Sequence, residues 1–255
     1  MNSMIPPQDA DITVVNAHLN FPKVNLIAPK TAGYIHVAAE IDPIHPFGLG
    51  GESQRKREAR EQALKLARAL ELEDGVVRAT VFVGRLRPPG THHPEGVHKP
   101  AFDLVVLIET GDMARAEAIQ ASAPYKALID MLTAKSDYLH VARARNGRRI
   151  GSVDFSHDGV FLFNYFHGED QRKLIPIWEY TAGWFEDRTD LHNSELLVPE
   201  PGQGSEYGLI NHCRWDHWHD ILPDLALRPT FKSYVLDNFA ANGVSPMPIL
   251  YSLAK

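Results

Sequence analysis

The sequence predicts an α+β fold made of two successive halves, each with the element order β-α-β-β-α-β. Three observations carry this. Ala59, Ala63, Leu66, Ala67 and Leu70 recur at helical spacing opposite a charged face of Arg55, Arg57, Glu58 and Glu61. Short β-branched runs such as Val76 to Val83 stand on either side of such helices. The second half also keeps a spacing of the first: Tyr125 lies fifteen residues after Thr110, and Phe231 fifteen after Asp216, each followed by a lysine (Lys126, Lys232). A shared fixed offset is what tandem copies of one unit produce.

Taken in order, residues 1–32 carry several prolines and only short apolar runs, and read as an arm packed on the body or on a second subunit. The first half spans 33–150. Tyr34 to Ile41 reads as a strand, and a glycine-rich connection leads to the helix from Ser53 to Leu72, stopped by Gly75. Val76 to Val83 is the second strand. The loop RLRPPGTHHPEGVHKP excludes regular structure, and Phe102 to Glu109 is the third strand. Asp112 caps the next helical segment, Ser122 and Pro124 restart it, and Tyr138 to Ala144 closes the half.

The second half spans 151–255. Val160 to Phe166 is an aromatic-rich strand, and Asp170 opens a helix with Leu174, Trp178, Ala182 and Phe185 on one face. Ser194 to Val198 and Tyr207 to Trp215 are strands. Pro229 leads a helix presenting Phe231, Val235 and Phe239, Gly243 ends it, and Ile249 to Leu253 is the last strand. Each half therefore has the ferredoxin-like arrangement.

Composition narrows the function classes. The chain has 255 residues, 44% hydrophobic and 23% charged, as a globular protein does. A formal charge of −6 leaves no electrostatic footprint for nucleic acid, and the densest basic run, Arg143 to Arg149, reads as a solvated turn. No apolar run is long enough to span a membrane, and no basic stretch followed by an apolar one marks a signal peptide. Cys213 stands alone, so no intrachain disulfide forms and a reducing compartment is expected, with cytoplasm the default.

A strand ending in RWD, a short amphipathic segment, and RPTF opening a helix resemble the antibiotic-biosynthesis-monooxygenase type of dimeric α+β barrel. The resemblance covers residues 160–253 best; the first half is similar to the superfamily only in outline. It implies tandem ferredoxin-like halves closing into one barrel-type body, an interior able to hold an aromatic substrate or haem, and a substrate-binding asparagine on the first strand, which Asn164 matches. A homodimer is compatible with it. The helix after Pro229 lacks the histidine of haem-degrading members, so the resemblance points to no cofactor, with haem the alternative.

Strand alternation sorts the candidate residues. Ile210, His212 and Arg214 share one face of their strand, and Leu162, Asn164 and Phe166 one face of theirs. If Phe161, Phe163 and Tyr165 pack on helices, then Asn164, His212 and Arg214 converge inside the barrel, with Leu162, Phe166 and Ile210 as substrate-binding walls. His212 would take a proton from a phenol or quinol, and Asn164 and Arg214 would hold the oxyanion. The bland readings are an Asn164 bonded to a strand edge and an Arg214 paired with Asp216 or Glu179.

His217 and His219, and His92, His93 and His98, lack a metal-site spacing and read as rim or loop residues. The glycines at 48, 50 and 51 are not followed by a phosphate-binding motif. Trp178, Tyr180 and Trp184 read as core, and Cys213 as a buried small hydrophobe. The expected function is an enzyme acting on a small, apolar, oxygenated molecule, as a cofactor-independent monooxygenase would. A haem-binding protein and a non-catalytic dimerising scaffold are the alternatives.

Overall fold

Strand β1 (Gly33–Glu40) is buried along nearly its whole length because both of its faces are covered. In the computed structural model, which describes residues 11–88, 93–202 and 204–255, Ile35, Val37 and Ala39 point to a helix layer. Tyr34 and Ala38 point the other way, into a barrel. The remaining strands are β2 (Val76–Leu86), β3 (Leu104–Thr110), β4 (Tyr138–Gly151), β5 (Val160–Gly168), β6 (Ser194–Pro199), β7 (Leu209–Trp215) and β8 (Val244–Leu253). They close in the order β1-β3-β2-β8-β5-β7-β6-β4, and every pair is antiparallel. Each half contributes four contiguous strands, and the β2–β8 and β4–β6 seams join them. Closure leaves no long open edge.

The helices start where short polar side chains can cap them. Ser53 Oγ accepts from the Lys56 amide (3.1 Å) before α1 (Gln54–Leu70). Asp112 accepts from Arg115 (2.8 Å) before α2 (Met113–Ile119), and Ser122 from Tyr125 (3.3 Å) before α3 (Ala123–Lys135). Such caps satisfy amide groups that no helical carbonyl reaches. Ala59, Ala63, Ala67 and Leu70 form the buried stripe of α1, as their spacing requires. In the second half, α4 (Leu174–Thr189) accommodates Pro176 in its first turn. Beyond β7 come α5 (Leu222–Leu227), a π-helical segment (Phe231–Leu236) and α6 (Asp237–Ala241). Gly243 ends this helix with φ 65°, a conformation that favours glycine.

Strands β2 and β5 run two or three residues past their expected ends, and β4 and β8 are longer by five residues or more. Arg143 to Arg149 is not a solvated turn but the second half of β4, where Arg145 pairs with Val198 and Arg149 with Glu195 to close the β4–β6 seam. Its charges are matched locally: Arg143 reaches Glu200, and Arg148 reaches Glu179 at 2.8 Å. The last strand begins at Val244, through Pro246 and Pro248. Prolines are tolerated there because β2 pairs only with Leu250–Leu253, leaving that stretch without a partner on one side.

Residues 11–32 of the arm lie on this same body. Asn238 and Asn242 each clamp its backbone in both directions, Asn238 on Val15 (2.9 and 3.1 Å) and Asn242 on Thr13 (2.8 Å each way). Phe21 packs on Tyr234, with ring centroids 4.6 Å apart. The arm thus straps the helices that cover the second half of the sheet. No helix among the described residues is long and apolar enough to cross a membrane.

Candidate functional site

The register between β5 and β7 decides where the candidate residues point. Phe163 is the partner of His212, and Asn164 the partner of Asn211. Directly paired residues lie on the same face of a sheet. Phe161, Phe163 and Tyr165 therefore fill the barrel, in one apolar cluster with Phe82, Phe102, Tyr207, Ile210 and Tyr251. Asn164 faces the helices. The expectation that Asn164, His212 and Arg214 converge is thus overturned: the aromatic face of β5 belongs to the barrel, whose interior is wide enough to need large rings.

His212 is sealed inside. Its ring stacks on Phe163 at 4.3 Å, Nδ1 lies 3.1 Å from the Leu162 carbonyl oxygen, and Nε2 has no partner among the described residues. Burial holds its pKa down at about 3, so the ring is neutral near pH 7. His36 and His140 share this interior and are held low by the same cause, His140 at about 4. Tyr165 OH sits 3.3 Å from both His36 Nε2 and Tyr251 OH, and Tyr251 donates to the Phe102 carbonyl oxygen at 2.9 Å. Ile210 lies in this core and does not reach the helix side.

Arg214 is committed at the barrel end. Nη1 meets Asp216 at 2.6 Å, Nη2 donates to the Asp158 carbonyl oxygen at 2.7 Å, and its guanidinium lies 5.7 Å from the Phe161 ring centre. Its partner is Asp216, one of the two carboxylates its bland reading names; Glu179 is taken by Arg148.

On the helix side, Leu162, Asn164 and Phe166 line a cavity of about 70 Å³. Trp178 of α4, Phe231 and Val235 of the π-helical segment, Phe239 of α6 and Trp215 of β7 complete its apolar walls. A π-helical turn widens the helix and alters which side chains face the sheet; such turns recur at functional sites. Four residues (Leu225, Phe231, Leu236 and Pro246) are shared with an open groove of about 1140 Å³, so the groove adjoins the cavity.

The polar groups on the cavity wall are few and adjacent. Asn164, Asn211 and Ser194 sit on neighbouring strands β5, β7 and β6. Ser194 Oγ donates to Asn211 Oδ1 at 2.5 Å. The Asn164 amide makes no hydrogen bond with any described residue, although its Oδ1 is buried. An orphaned buried carbonyl costs about 1–3 kcal/mol, so this group is unusual in a folded protein. Cys213 also faces the cavity, and burial pushes its thiol well above the ordinary value.

The strip was only partly readable beforehand. Alternation along β7 places Asn211 with Leu209, Cys213 and Trp215; what one strand cannot tell is which face of β5 joins them. Ser194 carries no signal beyond its type.

Haem does not fit this site. The described lining holds no histidine, methionine or tyrosine, and Cys213, a buried thiol, is held in its protonated form. A cavity of about 70 Å³ also has no room for a macrocycle. No group of three or more His, Cys, Asp or Glu among the described residues could hold a metal ion, and His217 and His219 lie stacked on each other at 5.0 Å beside α5. His92 lies outside the described residues.

No protein-family model matches the chain, and no curated protein matches its sequence. Solved structures do match its shape. An anthrone oxidase-like protein superposes with a TM-score of 0.65 at 9% identity, covering 91% of this chain and 95% of its own. A protein from Fusobacterium nucleatum subsp. nucleatum proposed as a monooxygenase gives 0.56 at 8% identity, covering 89% and 94%. A single-site mutant of chlorite dismutase from Candidatus Nitrospira defluvii gives 0.50 at 8% identity, covering 89% and 93%. At such identities the likeness is one of fold. The closed eight-strand barrel, with helices outside both of its four-strand halves, thus has the fold of a dimeric α+β barrel, with both ferredoxin-like halves supplied by one polypeptide.

Proposed function

We propose that the cavity between the second-half sheet and its helices binds a small, mostly apolar molecule carrying oxygen, and that the protein acts on it as a cofactor-independent monooxygenase of phenols or quinols. The observation that carries this reading is the unpartnered Asn164 amide on an apolar wall. A purely structural asparagine would have found a partner or been replaced by leucine. In this reading Asn164 holds the substrate oxygen, Leu162 and Phe166 grip the ring, and the aromatic walls exclude water. The substrate binds as the neutral phenol or quinol and, once ionised, supplies the electrons that reduce dioxygen.

His212 and Arg214 have no part in that step. Both lie on the barrel side of the sheet, and His212 is neutral and stacked. The described lining contains no carboxylate, histidine or amine that could serve as base. Substrates that ionise near the working pH are therefore favoured. Two proteins of the same fold carry oxidase-like or monooxygenase descriptions, in keeping with this choice of chemistry.

The test is oxygen uptake across a panel of phenols and quinols, with Trp178 and Trp215 fluorescence reporting binding. Asn164→Leu should abolish uptake while the folded fraction stays unchanged. Uptake that is equal in parent and variant, or no binding by any compound, would leave the scaffold reading instead.

A further inference from the structure

The polar strip of the cavity has a built-in polarity. Asn164 and Asn211 are direct partners across β5 and β7, so their Cβ atoms lie about 4.5–5.5 Å apart. A single small group can sit between the two amides. The Asn211 amide is oriented: its Oδ1 is taken by the Ser194 hydroxyl, itself fully buried at 1% exposure, which leaves Nδ2 as the free end. No described residue bonds that Nδ2. Beside it, Asn164 offers an unpartnered acceptor, Oδ1.

One group satisfies both at once. A hydroxyl oxygen accepts from Asn211 Nδ2 while its proton goes to Asn164 Oδ1. A ketone or methyl ether offers no proton, so Asn164 Oδ1 stays orphaned. A hydrocarbon leaves both amides unpaired, and an ammonium group leaves the Asn211 donor facing a cation. We infer that the Asn164–Asn211–Ser194 strip is a hydroxyl-selecting site, and that the ligand enters as an alcohol or phenol with its hydroxyl in the cavity and its apolar body extending towards the adjoining groove. This rests on the proposed ligand site and adds what that reading lacks: a ranking of functional groups, and roles for two further residues. Asn211 is a specificity residue. Ser194 is a positioning residue, acting through Asn211.

The volumes agree with a head-and-body arrangement. A cavity of about 70 Å³ takes a hydroxyl head with a few carbons, whereas the open groove of about 1140 Å³ can take a larger body. The ring of Phe231 and the side chains of Leu225, Leu236 and Pro246 line both spaces.

The experiment uses three probes of one shape, 1-naphthol, 1-methoxynaphthalene and naphthalene, titrated into the full chain by calorimetry at a pH that keeps the naphthol neutral. The parent should bind 1-naphthol at least about tenfold more tightly than either analogue, the effect of one orphaned buried acceptor. Asn164→Leu should erase that preference while naphthalene binds as well as before or better. Ser194→Ala removes the hydroxyl that orients Asn211, so the preference should shrink and naphthalene affinity should hold. Asn211→Leu serves as a second check: it removes the donor, so the preference for 1-naphthol should shrink there too. Equal binding of all three probes by the parent overturns hydroxyl selection while leaving the cavity as the ligand site. A preference that survives Asn164→Leu overturns it too. Binding of none of the probes would overturn both.

Discussion

Replacing Asn164 with leucine should make the protein more stable while abolishing its preference for a hydroxyl-bearing ligand. The side chain sits at the wall of an apolar cavity, makes no hydrogen bond with a described residue, and buries its Oδ1. Removing an unsatisfied buried acceptor relieves about 1–3 kcal/mol. Asn164 is half-buried as a whole, so part of its amide keeps access to cavity space, and the lower end of that range is appropriate. Leucine has a similar volume and meets Leu162, Phe166 and Trp178 without a new polar group, so little strain is added. A gain of about 1–2 kcal/mol corresponds to a Tm higher by roughly 2–6 °C for a chain of this length. Urea unfolding followed by tryptophan fluorescence measures the change directly, and a constant slope would show that the unfolded state is not altered. A destabilised Asn164→Leu would refute the reasoning, because it would mean that the amide is satisfied in solution and serves the fold.

Four further outcomes follow from the same geometry. His36, His140 and His212 are held neutral by burial, so each gains a proton on unfolding below its ordinary value of about 6.5; stability should fall with pH by about 1.4 kcal/mol per unit for each, from near pH 6.5 down to the folded values of about 4 for His140 and about 3 for His212. A Tm that is flat between pH 6.5 and 4.5 would contradict this. Cys213, fully buried with a raised thiol pKa, should react with thiol reagents only after unfolding, as read by labelling with and without denaturant. His212→Phe should leave ligand affinity within about twofold, since it alters the opposite face of the sheet; a large loss would return His212 to the site. Lys56→Met should cost about 3–5 kcal/mol, because Lys56 Nζ lies 3.0 Å from the fully buried Asp103, and the difference from the parent should shrink as the pH falls and the stranded carboxyl, whose pKa burial raises, takes a proton.

Local signals carried most of the architecture. The alanine stripe of α1, the caps Ser53, Asp112 and Ser122, and the stop at Gly243 each act within one turn of chain, so spacing alone reveals them. The lengths of β4 and β8 were hidden because they depend on partners far away in sequence. Arg145 and Arg149 read as a solvated run until β6 is seen to pair with them, and the last strand reads from Ile249 until β5 is seen to pair with the stretch that holds Pro246 and Pro248.

The site divides in the same manner. Leu162, Asn164 and Phe166 were grouped correctly, since alternation along one strand is local, and Asn211 was grouped with Cys213 and Trp215 for the same reason. Joining the two groups needed the register of β5 against β7, a long-range fact. The aromatic face of β5 was assigned to the helices on chemical grounds. The barrel took it instead, where its rings pack against Phe82, Phe102, Tyr207 and Tyr251. His212 and Arg214 consequently parted from Asn164.

The central claim is that the ligand sits between the second-half sheet and its helices, anchored by Asn164, rather than inside the barrel. A crystal of the parent soaked with 4-bromophenol and measured at the bromine edge tests it most directly. One anomalous peak is expected in the cavity walled by Trp178, Phe231 and Phe239, with the phenol oxygen within hydrogen-bond distance of Asn164 and Asn211. A peak among His36, Tyr165 and His212 inside the barrel, or no peak at a concentration that quenches tryptophan fluorescence, would contradict it.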